Sequence, residues 1–206
     1  MKGKNFEKEL PTSYKQALYI NAKDTKLGII FNLIAFAVLA AVMAIAIIPL
    51  CVGGISISVD DSKELIIGWF ALMVGMIGYI ILHELTHGAA YKLLTHEKLT
   101  FGISWSCAFC GVPNIYTYKK TSLISTAAPL TLFTLILIPL TAILYFVSPI
   151  YYLVSAFIFG LHLGGCSGDI YVMYLLIFRF RGKRTLVKDT GPEQHFYIEM
   201  QTTDCI

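Results

Sequence analysis

Apolar positions along this chain fall into four long runs, approximately Leu27 to Val52, Leu65 to Leu94, Leu123 to Val147 and Ile150 to Phe178. Each exceeds the ~20 residues with which a helix crosses the ~30 Å hydrocarbon layer of a bilayer. A helix is also the one open element that satisfies its own backbone there. The expected fold is therefore an all-α membrane protein. Four transmembrane helices would form a single membrane-embedded domain over residues 1–178, with a polar N-terminal segment over 1–26 and a polar C-terminal tail over 179–206. Between the second and third runs the period changes. Leu99, Phe101, Ile103, Trp105, Cys107 and Phe109 alternate with Thr100, Gly102, Ser104, Ser106 and Ala108, which is strand periodicity. A turn at Gly111, Val112, Pro113 and Asn114 would return a second strand through Tyr116 and Tyr118, making a small β-hairpin between helices 2 and 3.

Composition reinforces the membrane reading, with 56% hydrophobic and 14% charged residues and a mean hydropathy of +0.69. Soluble domains rarely combine these values. A lysine-bearing polar segment comes first, and the run behind it is too long for a signal core, so the first helix is expected to stay in the mature protein. Basic residues then predict orientation, because Lys and Arg flanking membrane helices are retained in the cytosol. Lys2, Lys4, Lys8, Lys15, Lys23 and Lys26 precede the first run, Lys92, Lys98, Lys119 and Lys120 lie between the second and third, and Arg179, Arg181, Lys183, Arg184 and Lys188 follow the fourth. Lys63 alone falls in an outer loop, beside Asp60, Asp61 and Glu64. The prediction is an integral multi-pass cell membrane protein with both termini cytosolic. A solvated basic rim accounts for the net charge of +3 and calls for no nucleic-acid partner.

The chemistry is concentrated in the second run, at His83-Glu84-Leu85-Thr86-His87. Two imidazoles four residues apart share one helical face and can hold one zinc ion. The glutamate beside the first can take a proton from water that the metal has acidified. In the predicted topology the second and fourth helices run in the same direction. At the helical rise, His83 lies about 27 Å and His87 about 33 Å from the start of the second run, and Asp169 about 28 Å from the start of the fourth. Asp169 can thus complete a three-ligand site, and an acid inside a membrane helix is costly without a role or a partner. His162 lies only about 18 Å in, so it ranks below Asp169 as a ligand. Seven residues before Asp169 it shares that face, which suits support of the ligands, contact with substrate, or polar packing.

Other readings compete less well. A third histidine six residues after His87 would stand at position 93, which is Leu93. His96 and Glu97 fall at the end of the second run, where a helix cap is the commoner role. Cys107 and Cys110 have metal or redox spacing but no partner pair, so packing is expected; the five cysteines suggest no disulfide framework. Gly160, Gly164 and Gly168 make a small-residue face for close helix approach, within the chain or in a homodimer. Asp189-Thr190-Gly191 has the form of an aspartic-protease tripeptide but precedes Pro192, and a turn is expected.

With HELTHG at His83 to Gly88, Ala127-Ala128-Pro129 opening the third helix and Gly168-Asp169 in the fourth, the chain resembles a bacterial family of membrane zincin peptidases. That family is similar to the site-2-type zinc intramembrane proteases, and the likeness covers most of the four-helix region. The resemblance implies a catalytic Zn2+ held by His83, His87 and Asp169, Glu84 as catalytic base, and cleavage of a membrane-protein or peptide substrate within the bilayer. Site-2 proteases usually place glycine after the third ligand, in Leu-Asp-Gly or Asn-Pro-Asp-Gly, whereas here Gly168 precedes Asp169. The alternative function is a non-catalytic zinc-binding membrane scaffold that holds a partner helix. That role needs the histidines but not Glu84. A metal transporter would need polar ligands at successive depths, and the first and third runs carry no Asp, Glu, His, Lys or Arg.

Overall fold

The computed structural model describes residues 4–53, 62–104 and 108–200. Trp105, Ser106 and Cys107 of the expected strand lie outside the described residues, as do Asp60, Asp61 and Cys205. Four helical stretches are long and apolar enough to cross a membrane. They are α1 (Thr25–Val52), α2 (Ser62–Thr95), α3 (Lys119–Tyr145), and α4 (Pro149–Gly165) continued by α5 (Ser167–Tyr174) and one π turn (Leu175–Arg179). Their outer faces carry large apolar side chains, with Phe36 72%, Phe70 68% and Leu135 69% exposed. Lipid rather than water is the solvent that such a surface suits, as in a multi-pass membrane protein.

The all-α expectation is incomplete, because the helices are accompanied by two antiparallel sheets. One has five strands in the order β1-β5-β6-β7-β2, formed by β1 (Phe6–Glu7), β2 (Tyr14–Asn21), β5 (Tyr116–Tyr118), β6 (Thr185–Asp189) and β7 (Glu193–Glu199). These strands draw on both polar ends of the chain. Their pattern is faint for physical reasons. A register shift between Gln16 and Leu18 interrupts the alternation of β2, and β7 points only Phe196 and Ile198 into the apolar cluster with Val187 and Ile20. Two inward residues are too few to announce a strand without the partner that covers them.

The second sheet pairs β3 (Thr100–Ile103) with β4 (Ala108–Gly111), in the register Thr100↔Gly111 to Ile103↔Ala108. The hairpin expected between helices 2 and 3 is therefore displaced. What reads as one long strand is two, Thr100–Ile103 and Ala108–Gly111, paired antiparallel with each other, and Tyr116–Tyr118 pairs with β1 and β6 instead. Phe109 consequently lies opposite Gly102, on the other face from Phe101. Gly102 makes this register possible, since a Cβ there would stand 2.3 Å from the Phe109 ring. Alternation reports which side chains share a face; it does not report where the chain reverses.

The chain forms two compact units. The first contains Met1–Gly28, His83–Pro129 and Asp169–Ile206. Its core gathers Ile20, Val172, Leu175, Leu176, Phe180, Val187 and Phe196, with the Phe180 and Phe196 rings stacked at 5.6 Å. A smaller cluster joins Tyr91, Val112 and Ile115. The second unit contains Ile29–Leu82 and Leu130–Gly168. There the glycine face of α4 meets α1 of the same chain. A Cβ on Gly164 would lie 2.7 Å from the Ala35 carbonyl oxygen, and one on Gly160 would lie 2.7 Å from Leu39. Backbone contact of this kind is the use expected of small residues between membrane helices. Gly168 meets nothing within 4 Å and takes no part in it.

Candidate metal centre

The first unit holds His83, Glu84, His87 and Asp169 together. Helical phase places His83, His87 and Tyr91 in line on α2, with the two imidazoles edge to face at 4.9 Å. Gly88 explains the last letter of HELTHG, because a Cβ there would come 2.6 Å from the Phe101 ring. Its absence lets β3 press against the helix beside His87. Asp169 enters from the first turn of α5. The helix breaks just before it at Cys166, in a Gly-Gly-Cys-Ser-Gly stretch of poor helix formers.

Asp169 Oδ2 lies 3.3 Å from His83 Nε2 and Oδ1 lies 3.4 Å from His87 Nε2, and the three donors fall within 4.8 Å of one another. Tetrahedral zinc with bonds of ~2.0–2.1 Å separates its donors by about 3.3–3.4 Å. The spacing therefore fits. His87 Nδ1 is 2.8 Å from the carbonyl oxygen of Ser125. A carbonyl only accepts, so the ring carries its proton on Nδ1, and a neutral His87 turns the lone pair of Nε2 towards Asp169. Electron pairs facing at this distance repel unless a bound cation or a second proton on the ring lies among them. Two imidazoles and one carboxylate suit zinc, and three protein donors is the number of catalytic rather than closed structural sites.

Glu84 follows the first histidine and is half-buried, with a backbone hydrogen bond from Cys110 of β4 on its carboxylate. Strand β4 is itself clamped. Val112 N–H donates to the Asp189 carbonyl at 2.8 Å, and Gly111 packs against the turn between β6 and β7 so closely that a Cβ would sit 2.2 Å from Gly191 N. That turn is Asp189-Thr190-Gly191, with Gly191 at φ 101°, a conformation suited to glycine. The Asp189 carboxylate accepts from Gly191 N–H at 2.9 Å and from the Tyr91 hydroxyl at 2.8 Å. The tripeptide is thus a turn that also ties the sheet to α2.

Burial pushes the Asp189 carboxyl up to about 6 against the opposing pull of the Gly191 N–H and Tyr91. The buried Cys110 thiol is pushed up to about 12, with the Asp189 and Glu84 charges adding to the effect of burial. A carboxyl raised in the folded state binds its proton more tightly there than when unfolded. Its stabilising contribution is complete below pH 4 and disappears as pH rises through 6. The difference approaches roughly 3 kcal/mol at neutral pH. Asp189→Asn should therefore flatten the rise in melting temperature that wild type shows between pH 7 and pH 4 in detergent, and should match or exceed wild type at pH 7. Parallel curves for the two proteins would show that Asp189 does not titrate in this window.

His96 and Glu97 stay at the end of α2, where His96 turns to φ 59° and Lys92 Nζ reaches the carbonyl oxygens of both residues at 3.1 Å. This is a helix cap, not a ligand arrangement. His162 belongs to the second unit, fully buried, with Nδ1 3.0 Å from the Tyr79 hydroxyl and Nε2 3.0 Å from Thr134 Oγ1. Both nitrogens meet hydroxyl groups, as a polar side chain among apolar helices requires. The Ser125 carbonyl and Tyr91 are absent from the sequence reading, while Cys110 and Asp189 enter it only as a packing residue and a turn residue. Only Tyr91 left a signal there, in its helical phase with His83 and His87.

Four membrane-length helices and a cluster of two buried histidines with a half-buried carboxylate define a metal-binding membrane protein. Residues 76–183 match the family described as "Putative zincin peptidase", and the chain belongs to that family, which implies zinc and peptidase chemistry. No curated protein and no solved structure matches the chain.

Proposed function

We propose that the protein is a zinc-dependent intramembrane metalloprotease of the site-2 kind, hydrolysing peptide bonds of membrane-spanning substrates, with both its termini in the cytosol. The observation that carries this reading is the convergence of His83, His87 and Asp169 at ligand spacing, with Glu84 next in the chain to one of them. Those three side chains would hold the ion, and zinc when bound supplies Lewis acidity towards water and towards a carbonyl oxygen. Glu84 takes a proton from the attacking water and passes it to the leaving nitrogen. The hydrogen bond from Cys110 aims the Glu84 carboxylate, and the Ser125 carbonyl holds the His87 ring. The side chains of His83, His87 and Asp169 keep 11–19% exposure, enough for water to reach them.

A transmembrane helix hides its peptide bonds and must be extended before hydrolysis. Strand β4 lies beside Glu84, in a sheet of two strands. An unwound substrate segment added to its edge would present a backbone carbonyl to the centre. The test uses purified protein in lipid vesicles with a single-span peptide. Cleavage should stop on treatment with a zinc chelator and return on adding back zinc. Cleavage that persists in metal-free protein rules the mechanism out.

A further inference from the structure

The carbonyl that orients His87 has an unusual freedom. Inside an α-helix the carbonyl of residue i normally accepts from the N–H of residue i+4. Ser125 lies within α3, and the residue four further on is Pro129, which has no N–H to offer. A proline ring inside a helix also crowds the carbonyl four residues back and turns it off the helix axis. The Ser125 carbonyl nevertheless ends in a hydrogen bond of 2.8 Å, donated by His87 Nδ1. Pro129 is fully buried in the same compact unit as both.

We infer that Pro129 is a positioning residue for the metal centre. By withholding a helix hydrogen bond it reserves the Ser125 carbonyl for His87, so that the ring is protonated on Nδ1 and leaves Nε2 free as the donor facing Asp169. Two costs cancel each other. A proline inside α3 strands an acceptor, and a buried imidazole N–H needs one. Outer hydrogen bonds of this type set the tautomer of a metal-binding histidine and its orientation. The consequence for metal affinity rests on the proposed zinc centre; the tautomer itself does not.

The test compares the full-length chain in detergent with Pro129→Ala and Pro139→Ala. The second variant removes the other proline of α3, an exposed one, and leaves the Ser125 carbonyl alone. In metal-free, 15N-histidine-labelled wild type, at a pH high enough for the His87 ring to be neutral, its single proton should sit on Nδ1. Alanine at 129 restores a competing N–H, so Pro129→Ala should populate the Nε2–H form and bind cobalt(II) about 10- to 100-fold more weakly, while Pro139→Ala should behave as wild type. An Nε2–H tautomer in wild type, or unchanged tautomer and cobalt affinity in Pro129→Ala, overturns the inference. Failure of wild type to bind cobalt or zinc would instead overturn the metalloprotease reading, and the tautomer measurement would still decide the role of Pro129.

Discussion

Glu84→Gln should lower peptide hydrolysis by about 10²- to 10⁴-fold, the range over which a positioned general base contributes, with zinc still bound at the wild-type ratio. Glutamine keeps the size of the side chain and can retain the hydrogen bond from Cys110, but it has no basic oxygen for the proton of the attacking water. Because Glu84 is not among the three converging donors, loss of turnover separates from loss of metal. This separation distinguishes the enzyme from a zinc-holding scaffold, which needs the donors and not the base. Single-turnover cleavage of a labelled transmembrane peptide, measured beside metal content on the same preparation, gives both numbers. Full activity in the glutamine variant would favour the scaffold.

Asp169→Ala should cost more than about 100-fold in zinc affinity, since even partners outside the ligand set cost 10–100-fold when removed. Asp169 contacts both imidazoles, so its loss leaves a two-histidine site open on one side, with residual weak binding. The fold should survive. Asp169 lies in the first turn of α5 and is absent from the apolar core around Val172, Leu175 and Phe196. Competition titration with a chromogenic chelator, together with a melting curve of the metal-free protein, checks both statements. Undiminished zinc affinity in this variant would remove Asp169 from the ligand set and leave the histidine pair standing.

Counting depth brought Asp169 level with the two histidines because helical rise is nearly constant, even through the break at Cys166, so distance along a membrane helix can be counted in residues. Rotation about the axis cannot be counted with the same safety once a Gly-Gly-Cys-Ser-Gly stretch intervenes. The 3.3 and 3.4 Å approaches to the two histidines came only with the fold. Phe109 is the reverse case. Its alternation with Ala108 and Cys110 was real, yet Gly102 allowed it to sit on the face opposite the one expected.

What the sequence alone determined is whatever depends on neighbours in the chain. Run length and apolar content marked the four membrane helices, and i,i+4 spacing placed His83 and His87 on one face with Glu84 beside them. Tertiary structure decided the rest. It assembled a five-stranded sheet mostly from both ends of the chain, paired β3 with β4, and joined Tyr91 to Asp189 across 98 positions and His87 to Ser125 across 38. The division has one physical cause. Helices satisfy their backbone locally and announce themselves in local periodicity, whereas strand partners and the hydrogen bonds that orient the His87 ring come from distant segments that meet only when the chain has folded.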